Sequence, residues 1–151
     1  MTATVHASAV LVGARAVLIR GPSGAGKSRL AFDLIEAARG GRVPFARLVG
    51  DDRVHLESAG GRLVVRPAET LAGLIELRGV GLLRLAHEPA AIVGLVVDLD
   101  AADAERLPER QTAGIEGIAV PRLAVAPGVA ALPRVLARLT SSPASAAAGS
   151  A

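Results

Sequence analysis

The chain has 151 residues, which suits one compact domain, and 51% of them are apolar although aromatics make up only 1%. Phe32 and Phe45 are the only aromatics, so the core must be built from Ala, Val, Leu and Ile, and a stacking platform for single-stranded nucleic acid is excluded. The net charge of +3 comes from sixteen arginines and one lysine without a dense basic run, and cysteine is absent; this argues against a nucleic-acid partner and excludes disulfide scaffolds, thiolate nucleophiles and Cys-ligated zinc.

The apolar runs Val5–Val12 and Ala16–Arg20 predict a hairpin or two adjacent strands around Gly13-Ala14-Arg15. A glycine-rich turn, Gly21 to Gly26, leads into a helix over Lys27–Ala38. Leu30, Ala31, Leu34, Ile35 and Ala38 recur there at helical spacing, and Gly40-Gly41 stops it. Strands are predicted over Val43–Val49, Val54–Glu57 and Leu63–Arg66, then a helical turn or short strand within Leu71–Leu77, then a strand over Leu82–Leu85. Ala91–Leu99 is the clearest buried strand. Ala101–Pro108 reads as a loop or short helix, Ala119–Ala126 as a late strand and Leu132–Leu139 as a C-terminal helix. One domain is expected over residues 1–139, followed by a disordered Ser/Ala-rich tail at 140–151. Strands outnumber helices in the middle, so the fold class is α/β with a mixed sheet rather than a regular doubly wound one. Met1–Ala14 lacks the form of a secretory signal, and Ala90–Val97 is too short to cross a bilayer. The expectation is therefore a cytoplasmic protein with no membrane partner.

Gly21-Pro22-Ser23-Gly24-Ala25-Gly26-Lys27-Ser28 satisfies the P-loop pattern G-x-x-x-x-G-K-[ST]. The glycines let backbone N–H groups turn toward phosphate oxygens, and the following helix points its positive end at the same place. Lys27, the only lysine in the chain, would reach the β- and γ-phosphates, and the Ser28 hydroxyl would ligate Mg²⁺. The chain has no asparagine, so it lacks the Asn-Lys-x-Asp guanine motif of common GTPases.

A P-loop also needs an acidic residue at a nearby strand end. Asp51-Asp52 and Asp98/Asp100 both qualify, and either pair could instead be a solvated turn. Adjacent carboxylates such as Asp51 and Asp52 can divide labour, one as general base and the other beside the metal. Glu76 and Arg78 share one face if their segment is extended, with a surface ion pair as the plain alternative.

A His near the start, a P-loop, Leu48-Val49-Gly50-Asp51-Asp52 and the segment Ile75-Glu76-Leu77-Arg78-Gly79-Val80-Gly81 follow one another in this order. The combination resembles the catalytic domain of the HPr kinase/phosphorylase family, in a short proteobacterial form, over about Val5 to Leu139. The resemblance implies a phosphoenolpyruvate-carboxykinase-like mixed sheet and an ATP- and Mg²⁺-dependent serine kinase acting on an HPr-type phosphocarrier. It implies Asp51 as catalytic base assisted by His6, Lys27 on the phosphates, and Ser28 and Glu76 at the metal, to which the reading of the residues adds Asp52. It assigns Arg110, in Pro108-Glu109-Arg110-Gln111, to a family arginine involved in the reaction, and it implies a hexamer. The family's late Pro-x-Arg-Pro-Gly-Arg-like segment corresponds only to Val125–Ala130, which lacks the arginines, and this argues against the reverse phosphorylase reaction. Two other readings stand beside the main one: a P-loop kinase with another substrate, and a nucleotide-binding regulatory module without transfer activity.

Overall fold

The computed structural model describes residues 3–141; the tail expected at 140–151 lies outside the described residues from 142 onward. The elements are, in chain order, β1 (Thr4–His6), β2 (Ser8–Val12), β3 (Arg15–Arg20), α1 (Lys27–Arg39), β4 (Ala46–Gly50), β5 (Arg53–Ala59), β6 (Arg62–Pro67), β7 (Leu74–Leu77), β8 (Gly81–Arg84), β9 (Ala91–Asp98), β10 (Gln111–Ile115), β11 (Ile118–Ala124) and α2 (Ala131–Thr140). A 3₁₀ turn at Glu69–Leu71 precedes β7, so the Leu71–Leu77 segment holds both a turn and a strand.

The main sheet is mixed. Its path runs β1-β5-β6-β9-β3-β2-β4, with β3 parallel to β9 and β2 antiparallel to both β3 and β4. The second edge of β9 is shared. β6 takes its first residues in antiparallel pairing, and β11 takes Val96–Asp98 in parallel pairing. Strands β7 and β8 form a separate ribbon beside this sheet.

β3 and β9 read as near-continuous apolar runs because both of their faces are covered. Val17, Ile19, Leu95 and Val97 face α1 and α2 in a cluster with Leu30, Leu34, Leu48 and Val135. Ala16, Leu18, Val93 and Val96 face the other way and pack with Val54, Leu56, Leu63, Val65 and Val120. The sheet thus curls over its second face while the helices cover the first.

The predicted run Val5–Val12 is split at Ala7. Thr4–His6 pairs with β5, whereas Ser8–Val12 pairs with β3 and β4. The chain changes partners here because β4 and β5 change direction beside it at Asp51-Asp52, and the Ala7 N–H donates to the Asp52 carbonyl (3.2 Å). Strand β10 was not foreseen; it pairs antiparallel with β11 across the Glu116-Gly117 turn. Pro121 is tolerated in β11 because its pairing with β9 begins only at Arg122.

Candidate functional site

The C-terminal ends of β3, β4 and β9 lie at one end of the sheet, and β3 runs directly into Gly21–Ser28. Open α/β sheets characteristically bind ligands at such an edge. The loop is seated on the end of β9: the Leu99 N–H donates to the Arg20 carbonyl (2.8 Å), and a Cβ on Gly21 would lie 3.1 Å from the Leu99 Cβ. Gly24 and Gly26 adopt φ of 84° and 96°, a region L side chains rarely enter. Gly26 caps α1 without any side-chain hydrogen bond, and the helix's own first turn contains no acidic residue. The Lys27 ammonium donates to the carbonyls of Gly21 (2.8 Å) and Pro22 (3.1 Å), which places it inside the curve of the loop.

Asp51 follows the last residue of β4 and is 3% exposed. Its Oδ1 accepts from Ser8 Oγ (2.6 Å) and Ser28 Oγ (2.7 Å). Its Oδ2 accepts from Ser28 Oγ (2.9 Å) and the Glu76 N–H (3.2 Å). The carboxylate therefore ties together β2, the P-loop and β7. Close packing at this corner depends on Gly50, where a Cβ would lie 2.7 Å from Val54 Cγ1 and 3.2 Å from Pro67 Cα.

Asp52 adopts φ 68°, and its side chain is 68% exposed. His6 lies beside it, with Nδ1 3.9 Å from Asp52 Oδ1 and Nε2 3.0 Å from Arg53 Nη2. A guanidinium can only donate, so Nε2 is the acceptor and a neutral His6 carries its proton on Nδ1, facing Asp52.

A cleft of about 800 Å³ joins these groups. Ser23–Arg29 and Phe32 form one wall, and Asp51, Asp52, Glu76, Leu77, Arg78 and Val80 form the other. Lys27, Ser28, Asp51, Asp52 and Glu76 are thus brought together, and His6 reaches the group through Asp52. Arg110 is not. The β10–β11 register carries it to a separate cavity of about 340 Å³ shared with Gly94, Leu95 and Arg138. Two arginines do line the cleft: Arg29 on the α1 wall, and Arg78 on the opposite wall with Nη2 3.9 Å from the Cβ position of Gly24. Ser8 was not singled out in the sequence; its one signal was a hydroxyl between Ala7 and Ala9 in an otherwise apolar strand.

The rival acidic end is committed elsewhere. Asp98 accepts from Arg20 Nε (2.7 Å) and Nη2 (2.9 Å) and from Arg122 Nε (2.5 Å). Arg122 in turn donates to Asp103 and Gln111. Burial by itself raises the Asp98 pKa, but the bonds from Arg20 and Arg122 outweigh it and hold the carboxyl below its ordinary value. The bond from Arg122 likewise lowers Asp103.

No group of three or more His, Cys, Asp or Glu side chains converges as a metal cage among the described residues. Mg²⁺ does not need one: it commonly takes one or two carboxylates and completes its shell with phosphate and water oxygens. The oxygens of Ser28, Asp52 and Glu76 fit that requirement, and the loop geometry fits a triphosphate.

The chain is similar to known proteins over most of its length. The family described as "HPr Serine kinase C-terminal domain" matches residues 1–128. HPr kinase/phosphorylase from Limosilactobacillus reuteri (strain DSM 20016) is 30% identical over 135 residues, covering 81% of this chain and 40% of the relative. The Mycoplasma mycoides protein of the same name is 37% identical over 81 residues, covering 54% of this chain and 24% of the relative. The chain thus spans less than half the length of these curated relatives. Among solved structures, the Hpr(Ser) kinase/phosphatase from Coxiella burnetii superposes with a TM-score of 0.74 at 27% identity, over 91% of this chain and 93% of that one.

Proposed function

Because this chain belongs to the family of HPr serine kinase C-terminal domains, we propose that it transfers the γ-phosphoryl group of ATP to a serine hydroxyl of an HPr-type phosphocarrier protein. The observation that carries the proposal is the junction of P-loop and acid: Ser28 donates to a buried Asp51 at the end of β4, in a cleft that Asp52, Glu76 and Arg78 also line.

Each residue has a task. Lys27 and the loop amides hold the phosphates. Ser28 would hold Mg²⁺ with Asp52 and Glu76, and the ion would draw charge from the phosphate oxygens when bound. Asp51 takes the proton of the acceptor hydroxyl as its oxygen bonds to phosphorus and the bond to the ADP oxygen breaks. His6 lies beside Asp52 at 3.9 Å, an electrostatic neighbour of that carboxylate, and Arg78 neutralises charge at the transferred group. The mixed sheet around the P-loop supports kinship with the phosphoenolpyruvate-carboxykinase-like architecture. No described helix is long and apolar enough to cross a membrane; together with nucleotide chemistry this supports a cytoplasmic setting. Assembly as a homo-oligomer, a hexamer by family resemblance, belongs to the same reading.

The test is a transfer assay with Mg·ATP, this protein and a purified HPr-type carrier, with Lys27→Ala as control. Label on a carrier serine, lost in the variant, is the expected result. An unlabelled carrier alongside measurable ATP binding would redirect the assignment to another acceptor or to a nucleotide-binding module without transfer.

A further inference from the structure

Ser8 and Asp51 are the two buried polar side chains among the described residues, and they are bonded to each other at 2.6 Å. Ser8 opens β2, where the chain leaves β5 for β3 and β4, and its neighbours in sequence are the buried Ala7 and Ala9. Alanine would fill this position equally well, so packing does not call for the hydroxyl. A buried hydroxyl is costly unless partnered, and its partner here is the carboxylate.

The donors around Asp51 show what the hydroxyl supplies. Ser28 Oγ has a single proton yet lies within bonding distance of both carboxylate oxygens. The Glu76 N–H serves Oδ2 alone. Ser8 is thus the donor that gives Oδ1 a partner independent of Ser28. It comes from a sheet strand rather than from the loop that must accommodate a nucleotide. Taking Asp51 as the catalytic group of the function proposed above, we infer that Ser8 is its positioning residue: it fixes the carboxylate plane whichever way the Ser28 hydroxyl turns. The inference adds β2 to the strands that carry the catalytic apparatus.

The experiment compares Ser8→Ala, Ser8→Cys and Ser8→Thr in the full chain, measuring carrier phosphorylation, intrinsic Mg·ATP hydrolysis, Mg·ATP affinity and thermal midpoint. A carboxylate left free to rotate by a fraction of an ångström costs about ten- to a hundredfold in turnover. Ser8→Ala and Ser8→Cys should lose that factor in kcat with ATP affinity within about twofold of wild type. Ser8→Thr, which keeps the donor, should recover most of the rate. Unchanged kcat in Ser8→Ala overturns the inference. So does a loss of affinity and midpoint that parallels the loss of rate, because a purely structural hydroxyl behaves that way. If the wild type hydrolyses Mg·ATP but labels no carrier, the acceptor assignment fails, and the hydrolysis rates of the three variants still decide the role of Ser8.

Discussion

A carboxylate buried as deeply as Asp51 must keep its oxygens hydrogen-bonded or lose several kcal/mol to desolvation, on the order of the cost of leaving a buried charge unpaired. Three separate segments supply those bonds, so the acid is held before any ligand arrives. Asp51→Asn should abolish phosphoryl transfer while leaving ATP affinity nearly intact, measured by label transfer and equilibrium binding; retained transfer would refute the base assignment. Glu76→Gln should weaken Mg²⁺ more than ATP, raising the Mg²⁺ needed for half-maximal rate by about tenfold, since one charge-assisted ligand is worth roughly 1.4 kcal/mol or more. At Asp98 the expectation concerns stability. Its carboxyl is lowered in the folded chain, so the stabilisation is complete above the ordinary Asp value and is lost as pH falls through the lower folded value. Urea midpoints measured from neutral to acid pH should show that loss in the wild type and less of it in Asp98→Asn.

At the scale of elements, α1 follows directly from its sequence. Leu30, Ala31, Leu34 and Ile35 are buried against the sheet, and Gly40 ends the helix, its N–H donating to the Glu36 carbonyl. Leu34→Ala removes a fully buried side chain from this face and should cost about 2–5 kcal/mol in chemical denaturation. Gly50→Ala introduces no strained φ but drives a methyl group into Val54 and the Pro67 backbone. It should cost about 1–3 kcal/mol and, because it displaces the Asp51 corner, lower kcat as well. Strand β10 escaped prediction for a physical reason. Gln111–Ile115 has two exposed and two half-buried residues around a single buried one, Ala113, so its identity comes from pairing with β11 and not from a buried face of its own. The run Val5–Val12 concealed a break for the converse reason: both halves are apolar enough to be strand, and only the partners differ.

For the molecule as a whole, ligand linkage gives a test of the site that does not depend on the acceptor. Mg·ATP at a hundred times its Kd should stabilise the fold by about 2.7 kcal/mol, read as a rise in thermal midpoint. Chelating Mg²⁺ should shrink the rise, and Lys27→Ala should nearly remove it; an equal rise in Lys27→Ala would place the nucleotide elsewhere. The sequence by itself determined the position of the phosphate loop, the helix behind it, the acidic pair after β4 and the mixed character of the sheet. Each of these is written in contiguous residues or in short-range periodicity. Family membership was legible too, because it rests on the order of such local motifs. Only the tertiary structure decided that Ser8, 43 residues away, bonds Asp51, that Asp98 is claimed by arginines 78 and 24 residues away, and that Arg78 rather than Arg110 lines the cleft. Those contacts join segments distant in the chain. Which side chains meet there is set by strand order, by register and by the corner at Ala7 and Asp51, and none of these leaves a mark in a local stretch of sequence.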